Sequence, residues 1–346
     1  MSTQDVGGRV RDMARAARAV AVSAAENALE TVVAELMKVV DDDDDRLPVV
    51  LSQDPKHPGA PARPIDAMAQ TAVRRGAESA IEERDAVFSG RVSQICYVGE
   101  ESGSQTQLIR PGTLVVRSDP LDGTSNAVNL LQGYCSVVTV DYIDIPGKRG
   151  RHLGGAILGG DIDISWEQWS RRSQTGDGYH NALGRVYVRS VRLRTEWRAA
   201  EVSQEYRVMA NMASVAASES RFRELEAYRE AAFAAGGIVY HLAGNPFCAA
   251  LLFGEVGSFV EIKDVTLHDS AYLIPHWLLG GATEGLDGSP LNYIDLYEEN
   301  IANFDVSAKP VPPFVAFYGR QNPFSVVGEG REARRIASAK DRIFER

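Results

Sequence analysis

Cysteine is scarce in this chain: three residues in 346, Cys96, Cys135 and Cys248, each inside an apolar run. An odd, unclustered set is no disulfide framework; it is the pattern of reduced core thiols, and a cytoplasmic home is expected. Long hydrophobic runs are missing too, and none approaches the roughly 20 residues that a membrane span needs. The first residues show no signal-peptide pattern, because their apolar side chains are interleaved with arginine. Positive charge is in deficit. Lys and Arg number 37 against 47 Asp and Glu, a net charge of −10, which argues against broad nucleic-acid binding. There is no internal repeat. What remains is ordinary for a globular protein, with 44% hydrophobic and 24% charged residues. The length allows two domains with ample core.

Apolar residues at three- and four-residue steps predict a helix over Val10–Val40, ending at the run Asp41–Asp45. That run reads as a solvated, self-repelling loop rather than a cation site. Leu47–Arg63 is proline-rich and expected to be an exposed excursion. A second helix is predicted over Ala67–Arg84. Short apolar runs predict strands over Ser93–Val98, Thr113–Ser118, Tyr134–Ile143, His152–Leu158 and Arg185–Leu193, with a hairpin loop at Ser173–Asn181. Further on, helices are expected over Glu219–Ala235, Pro246–Phe253, Tyr272–Leu279 and from about Gly330. Strands are expected over Gly237–Leu242 and Phe314–Tyr318. A domain change is expected between about Thr195 and Tyr206.

The most informative stretch is Asp119-Pro-Leu-Asp122-Gly123-Thr124-Ser125-Asn126. It follows a predicted buried strand, so Asp119 stands at a strand's C-terminal end, where α/β folds place their chemistry. Pro120 biases Asp119 toward extended backbone, and Gly123 permits a tight turn. The amides of Thr124 to Asn126 are then free to open a helix and face an anion. Hard oxygen ligands beside such a cradle suit Mg²⁺ and a phosphate. Alone, the motif reads first as a solvated Asp-Gly turn that caps a helix. Glu100-Glu101 supplies context, lying after Gly99 at the end of another predicted strand. Downstream, His268-Asp269-Ser270-Ala271 leads into the predicted helix before Gly280-Gly281, and there Asp269 also reads as a helix cap.

In order and spacing, Glu100-Glu101, Asp119 to Asn126, Gly244-Asn-Pro-Phe-Cys-Ala-Ala-Leu-Leu252 and His268-Asp269-Ser270-Ala271 resemble the inositol monophosphatase and fructose-1,6-bisphosphatase superfamily. The resemblance covers roughly residues 90 to 290. It implies an α/β (α+β) fold, a layered αβαβα sandwich of the sugar-phosphatase type. Residues 1–195 would form an α+β half that binds metal and phosphate. Residues 196–346 would form an α/β half that supplies the last metal ligand and substrate contacts. The implied activity is a phosphomonoesterase using two or three Mg²⁺ ions. Glu100, Asp119 and the Leu121 carbonyl would hold one ion, and Asp119, Asp122 and Asp269 a second. Glu101 would touch a third or orient the attacking water. Gly123, Thr124 and Ser125 would cradle the phosphate, and the Thr124 hydroxyl would help deprotonate the water. The catalytic set is therefore Thr124, Glu101 and Asp119.

The chain departs from the resemblance in one region. A further aspartate usual on a helix upstream of the Glu pair has no clear counterpart; Asp66, Gln70, Thr71, Ala72 and Asp85 are the candidates. His268 stands where a tryptophan is common, and is read as a neighbour of the site rather than a ligand, since hard Mg²⁺ prefers oxygen. Substrate contacts are expected from Asn126, Arg207, Asn211, Tyr240 and His241, with Ser214 and Asn245 nearby. The expected substrate is a small inositol, cyclitol, sugar or nucleoside monophosphate. The alternatives are a sugar or nucleotide bisphosphatase and a non-catalytic relative that binds a phosphorylated metabolite. A homodimer or homotetramer is implied, with no nucleic-acid or membrane partner.

Overall fold

The computed structural model describes residues 3–41, 52–53, 61–62, 64–99, 108–123, 133–145, 150–159, 162–171, 182–190, 196–199, 209–212, 219–234, 238–240, 245–247, 251–252 and 258–318. The Ser173–Asn181 loop, the terminal helix and Asp42–Asp45 lie outside these residues.

The chain begins with helix α1 (Thr3–Asp41), which packs along helix α2 (Pro64–Glu82). Alanine makes this pairing close. Ala14, Ala17, Ala21, Ala24, Ala25 and Ala28 are fully buried along one face of α1. Opposite them, a Cβ on Gly76 would meet Ser23 O and Asn27 Nδ2 at 2.8 Å.

A short helix, α3 (Asp85–Phe88), leads from α2 into the first of two sheets. This sheet has seven strands in the order β3-β4-β5-β6-β7-β8-β9. They are β3 (Gln94–Gly99), β4 (Thr113–Asp122), β5 (Cys135–Ile143), β6 (Arg151–Leu158), β7 (Ile162–Arg171), β8 (Ala182–Ser190) and β9 (Arg198–Ala199). The β3–β4 pair is parallel and every later pair antiparallel. The two-residue strands β1 (Ser52–Gln53) and β2 (Pro61–Ala62) pair separately.

The second sheet has five strands in the order β11-β10-β12-β14-β13. They are β10 (Met209–Met212), β11 (Ile238–Tyr240), β12 (Ser258–Glu261), β13 (Ala282–Gly285) and β14 (Phe314–Phe317). Helices α4 (Glu219–Ala234), α5 (Leu273–Leu278) and α6 (Tyr293–Asn300) complete this half.

Three apolar layers hold these elements together. Alternation along β4 shows how one strand serves two of them, since successive side chains point to opposite faces. Leu114 and Val116 join the layer under α1 and α2, whereas Val115 joins the layer that also takes Phe259, Leu273, Tyr297 and Phe314. A third layer, with Tyr228, Val260 and Phe317, lies between α4 and the outer face of the second sheet. The order is helix, sheet, helix, sheet, helix: the layered αβαβα sandwich expected from the sequence. No helix among the described residues is long and apolar enough to cross a membrane.

Polar contacts pin α6 and the segment after it onto the first sheet. Tyr297 OH donates to Thr139 Oγ1 at 2.8 Å and to Asp141 Oδ2 at 3.1 Å. Asp141 Oδ1 lies 2.6 Å from His152 Nδ1, and Trp166 Nε1 donates to His152 Nε2 at 2.7 Å. The tryptophan contact makes Nε2 an acceptor, so Nδ1 carries the proton and donates to Asp141. Buried Arg117 donates through Nη2 to the carbonyls of Ile301 (3.2 Å) and Asn303 (3.0 Å).

Helices α3 and α6 and strands β9, β10 and β13 were not foreseen in the sequence, and two further elements differ from expectation. Strand β7 was hidden because Asp163, Ser165, Glu167 and Gln168 break its apolar pattern, yet all four are buried. Arg189 satisfies Asp163 at 2.7 Å, and Tyr187 OH donates to Glu167 at 2.8 Å. The helix expected over Pro246–Phe253 begins as a 3₁₀ turn, Asn245–Phe247, with α-helical geometry at Leu251–Leu252.

Candidate active site

Alternation along β4 also aims the site. Arg117 and Asp119 fall on the face toward the C-terminal half, and Ser118 faces α2. The strand runs on past Asp119 to Asp122, but its pairing with β5 slips between them. Such an irregularity re-aims side chains at a sheet's end. Leu121 N donates to Asp119 Oδ1 at 3.2 Å, which fixes the buried carboxylate. Gly123 then turns the chain with φ +84°, and a Cβ there would meet Gly133 O at 2.6 Å. Only glycine fits both demands.

The opposite wall is the segment after β12. Val265 exchanges backbone hydrogen bonds with Val311. Asp269 N donates to Thr266 Oγ1 (3.1 Å), and Ser270 Oγ donates to Thr266 O (2.7 Å). Helix α5 starts only after Tyr272, so Asp269 does not cap it. Its carboxylate instead points to Asp119. One oxygen each of Asp119 and Asp269 and one ring nitrogen of His268 lie within 4.8 Å of one another. Two carboxylates and an imidazole converging this way form a donor set that suits a divalent cation.

Asn245 joins the two walls. Its backbone N and its Nδ2 both donate to Asp122 Oδ2, at 2.7 and 2.9 Å. Nδ2 also donates to His268 O at 3.0 Å, while Oδ1 accepts from Tyr272 N at 3.3 Å. Fully buried Asn245, grouped with the substrate candidates on sequence grounds, is therefore a structural clamp on Asp122.

Two further residues border the site. Gln70 of α2 donates through Nε2 to Ser118 Oγ at 3.2 Å. A Cβ on Gly99, the residue before Glu100, would lie 1.8 Å from Gln70 Oε1. Gln70 thus sits between the ends of β3 and β4. Glu261, at the end of β12, was missed in the sequence because it closes an apolar run. Burial pushes its carboxyl up to about 7, Lys263 pulls it down, and Asp269 adds a smaller upward push.

The structure brings Asp119 and Asp269 together, with His268 beside them, whereas Asp122 is held by Asn245 and is not one of the three converging groups. Leu121 lies between the two aspartates of β4, and Gly123 forms the turn after them. Asn211 and Tyr240 are register partners on β10 and β11, described by their backbone alone. Glu100, Glu101, Thr124, Ser125, Asn126, Arg207 and His241 lie outside the described residues.

No protein-family profile matches the chain, and no curated protein matches it in sequence. Solved structures do match. The extragenic suppressor protein suhB from Bartonella henselae is 15% identical with a TM-score of 0.51, over 86% of this chain and 92% of that one. CysQ from Bacteroides thetaiotaomicron, a bacterial member of the inositol monophosphatase family, is 14% identical with a TM-score of 0.50, over 88% and 97%. SaIMPase-II with 2′AMP bound is 12% identical with a TM-score of 0.50, over 92% and 96%. This chain is a layered α/β protein with an acidic site where its two sheets meet. Its fold is that of the inositol monophosphatase structures.

Proposed function

We propose that this protein is a divalent-cation-dependent phosphomonoesterase acting on a small inositol, cyclitol, sugar or nucleoside monophosphate. The observation that carries the reading is the convergence of Asp119 and Asp269 from opposite walls, where the sequence motifs place metal ligands. The nucleotide in the SaIMPase-II structure supports including nucleoside phosphates among the substrates.

Asp119, Asp122 and Asp269, with the Leu121 carbonyl and Glu100, would hold the cations, and the oxygen donors suit Mg²⁺. When bound, the cations screen the dianionic phosphate, lower the pKa of water and offset negative charge that grows in the transition state. The chain's own groups then position the reactants. Gly123, Thr124 and Ser125 cradle the phosphate through backbone amides. Glu101 orients the attacking water, and the Thr124 hydroxyl assists its deprotonation. Water oxygen forms the new bond to phosphorus, the ester P–O bond breaks, and the alcohol departs with a proton. Asn126, Arg207, Asn211, Tyr240 and His241 are proposed for the alcohol portion. The two halves, residues 1–195 and 196–346, are proposed as domains of a cytoplasmic homodimer or homotetramer, which sedimentation would test.

Asp119→Asn and Asp269→Asn test the site. Each should weaken divalent-cation binding by calorimetry and abolish phosphate release. Unchanged release in either variant would sink the assignment.

A further inference from the structure

His268 is 2% exposed, and one of its ring nitrogens lies within 4.8 Å of an oxygen of each of the two carboxylates that the reading above assigns to a cation. Its Nε2 lies 3.7 Å from Asp269 Oδ1. That is too long for a hydrogen bond. It falls in the range of about 3–4 Å that separates neighbouring donors on one cation when each bond is about 2.0–2.2 Å. The backbone around His268 is held on both sides: its carbonyl accepts from Asn245, and Thr266 Oγ1 accepts from Asp269 N. Two consecutive side chains, 268 and 269, are thereby offered to the same point opposite Asp119.

We propose that His268 is a direct metal ligand, so that the Asp119–His268–Asp269 position is a mixed nitrogen–oxygen site selecting a borderline cation such as Co²⁺ or Zn²⁺ over Mg²⁺. Mg²⁺ takes oxygen donors and gains little from an imidazole, whereas the later first-row cations gain substantially. The all-oxygen position proposed at Glu100, Asp119 and the Leu121 carbonyl keeps its preference for Mg²⁺, so the two positions differ in metal. The inference rests on the reading of Asp119 and Asp269 as metal-holding residues.

The test uses the full chain, first with Co²⁺ alone. Low-temperature electron–nuclear double resonance of Co²⁺ bound to the wild-type protein should show ¹⁴N coupling from an imidazole. Calorimetry of His268→Gln should then show Co²⁺ affinity reduced by about 10- to 100-fold, with Mg²⁺ affinity changed by less than about threefold. Absence of ¹⁴N coupling, or Co²⁺ affinity within about twofold of wild type in His268→Gln, would overturn the proposal. The spectroscopy needs no variant, so a poorly folded His268→Gln would not shield it. If Asp269→Asn abolishes Co²⁺ binding and His268→Gln does not, the proposal fails and the metal site stands. If the wild-type protein binds neither Co²⁺ nor Mg²⁺, the metal site itself fails and the proposal with it.

Discussion

Asn245 grips a single oxygen of Asp122 with two donors, its backbone N at 2.7 Å and its Nδ2 at 2.9 Å. The same side chain also holds the His268 carbonyl and the Tyr272 amide. One buried amide thus couples the end of β4 to the segment that carries Asp269. Asn245→Ala should cost about 1–3 kcal/mol, because buried groups lose their partners. It should also lower phosphate release by about 10- to 100-fold, because Asp122 is no longer oriented. Asn245→Asp should be worse, since it sets one carboxylate against another. Urea unfolding and phosphate-release rates check both variants, and a neutral Asn245→Ala would contradict the clamp.

Gly99 and Gln70 offer a paired test. A methyl at 99 collides with the Gln70 amide, which must then leave Ser118. Gly99→Ala should destabilise by about 1–3 kcal/mol. Because the collision is with a side chain, adding Gln70→Ala should restore most of that loss. A double-mutant cycle measures the coupling. Additive effects would show that Gln70 does not occupy the space beside Gly99.

The buried His152–Asp141 pair resembles a catalytic dyad in composition alone. Trp166 engages the second ring nitrogen, so His152 has no free base to offer. Its work is to dock α6 on the first sheet. Tyr297→Phe should therefore cost about 1–3 kcal/mol of stability and leave kcat within about twofold. Thermal melts and steady-state rates decide this. A large fall in kcat at unchanged stability would give the network a chemical role.

His276 sets a pH dependence. Burial pushes its imidazole down from 6.5 to about 4, and the Ala282 carbonyl pulls weakly the other way. As pH falls through 6.5 the unfolded chain takes up a proton that the folded chain refuses until about pH 4. Its contribution is thus complete above pH 6.5 and is lost between 6.5 and 4. At about 1.4 kcal/mol per unit, the loss is on the order of 3 kcal/mol. Urea midpoints between pH 7.5 and 4 should fall accordingly, and His276→Leu should flatten that part of the curve. An unchanged slope in His276→Leu would remove the histidine from the account.

The layers and the approach of Asp119 to Asp269 were legible in the sequence for a shared reason. Val115, Leu114 and Val116 advertise a strand buried on both faces, and Asp119, Pro120, Asp122 and Gly123 combine ligand and turn chemistry in one short stretch. Strand β7 was not legible, because Asp163 and Glu167 are buried with partners far along the chain, Arg189 and Tyr187. The same holds for Asn245 and Gln70. Asn245 is grouped with the substrate contacts until Asp122 is seen beside it, and Gln70 is one of several candidates for an upstream acid until Ser118 is. His268 was set aside on ligand preference; its ring position was beyond what spacing conveys.

Whether this protein is a cation-dependent phosphomonoesterase is decided by phosphate release from a panel of inositol, sugar and nucleoside phosphates, with divalent cation and with EDTA. Release is expected from at least one monophosphate, stopping with EDTA, returning with added cation and absent in Asp122→Asn. Release that persists in EDTA, or that Asp122→Asn leaves intact, would contradict that assignment, as would silence across the panel from a protein that binds the cation.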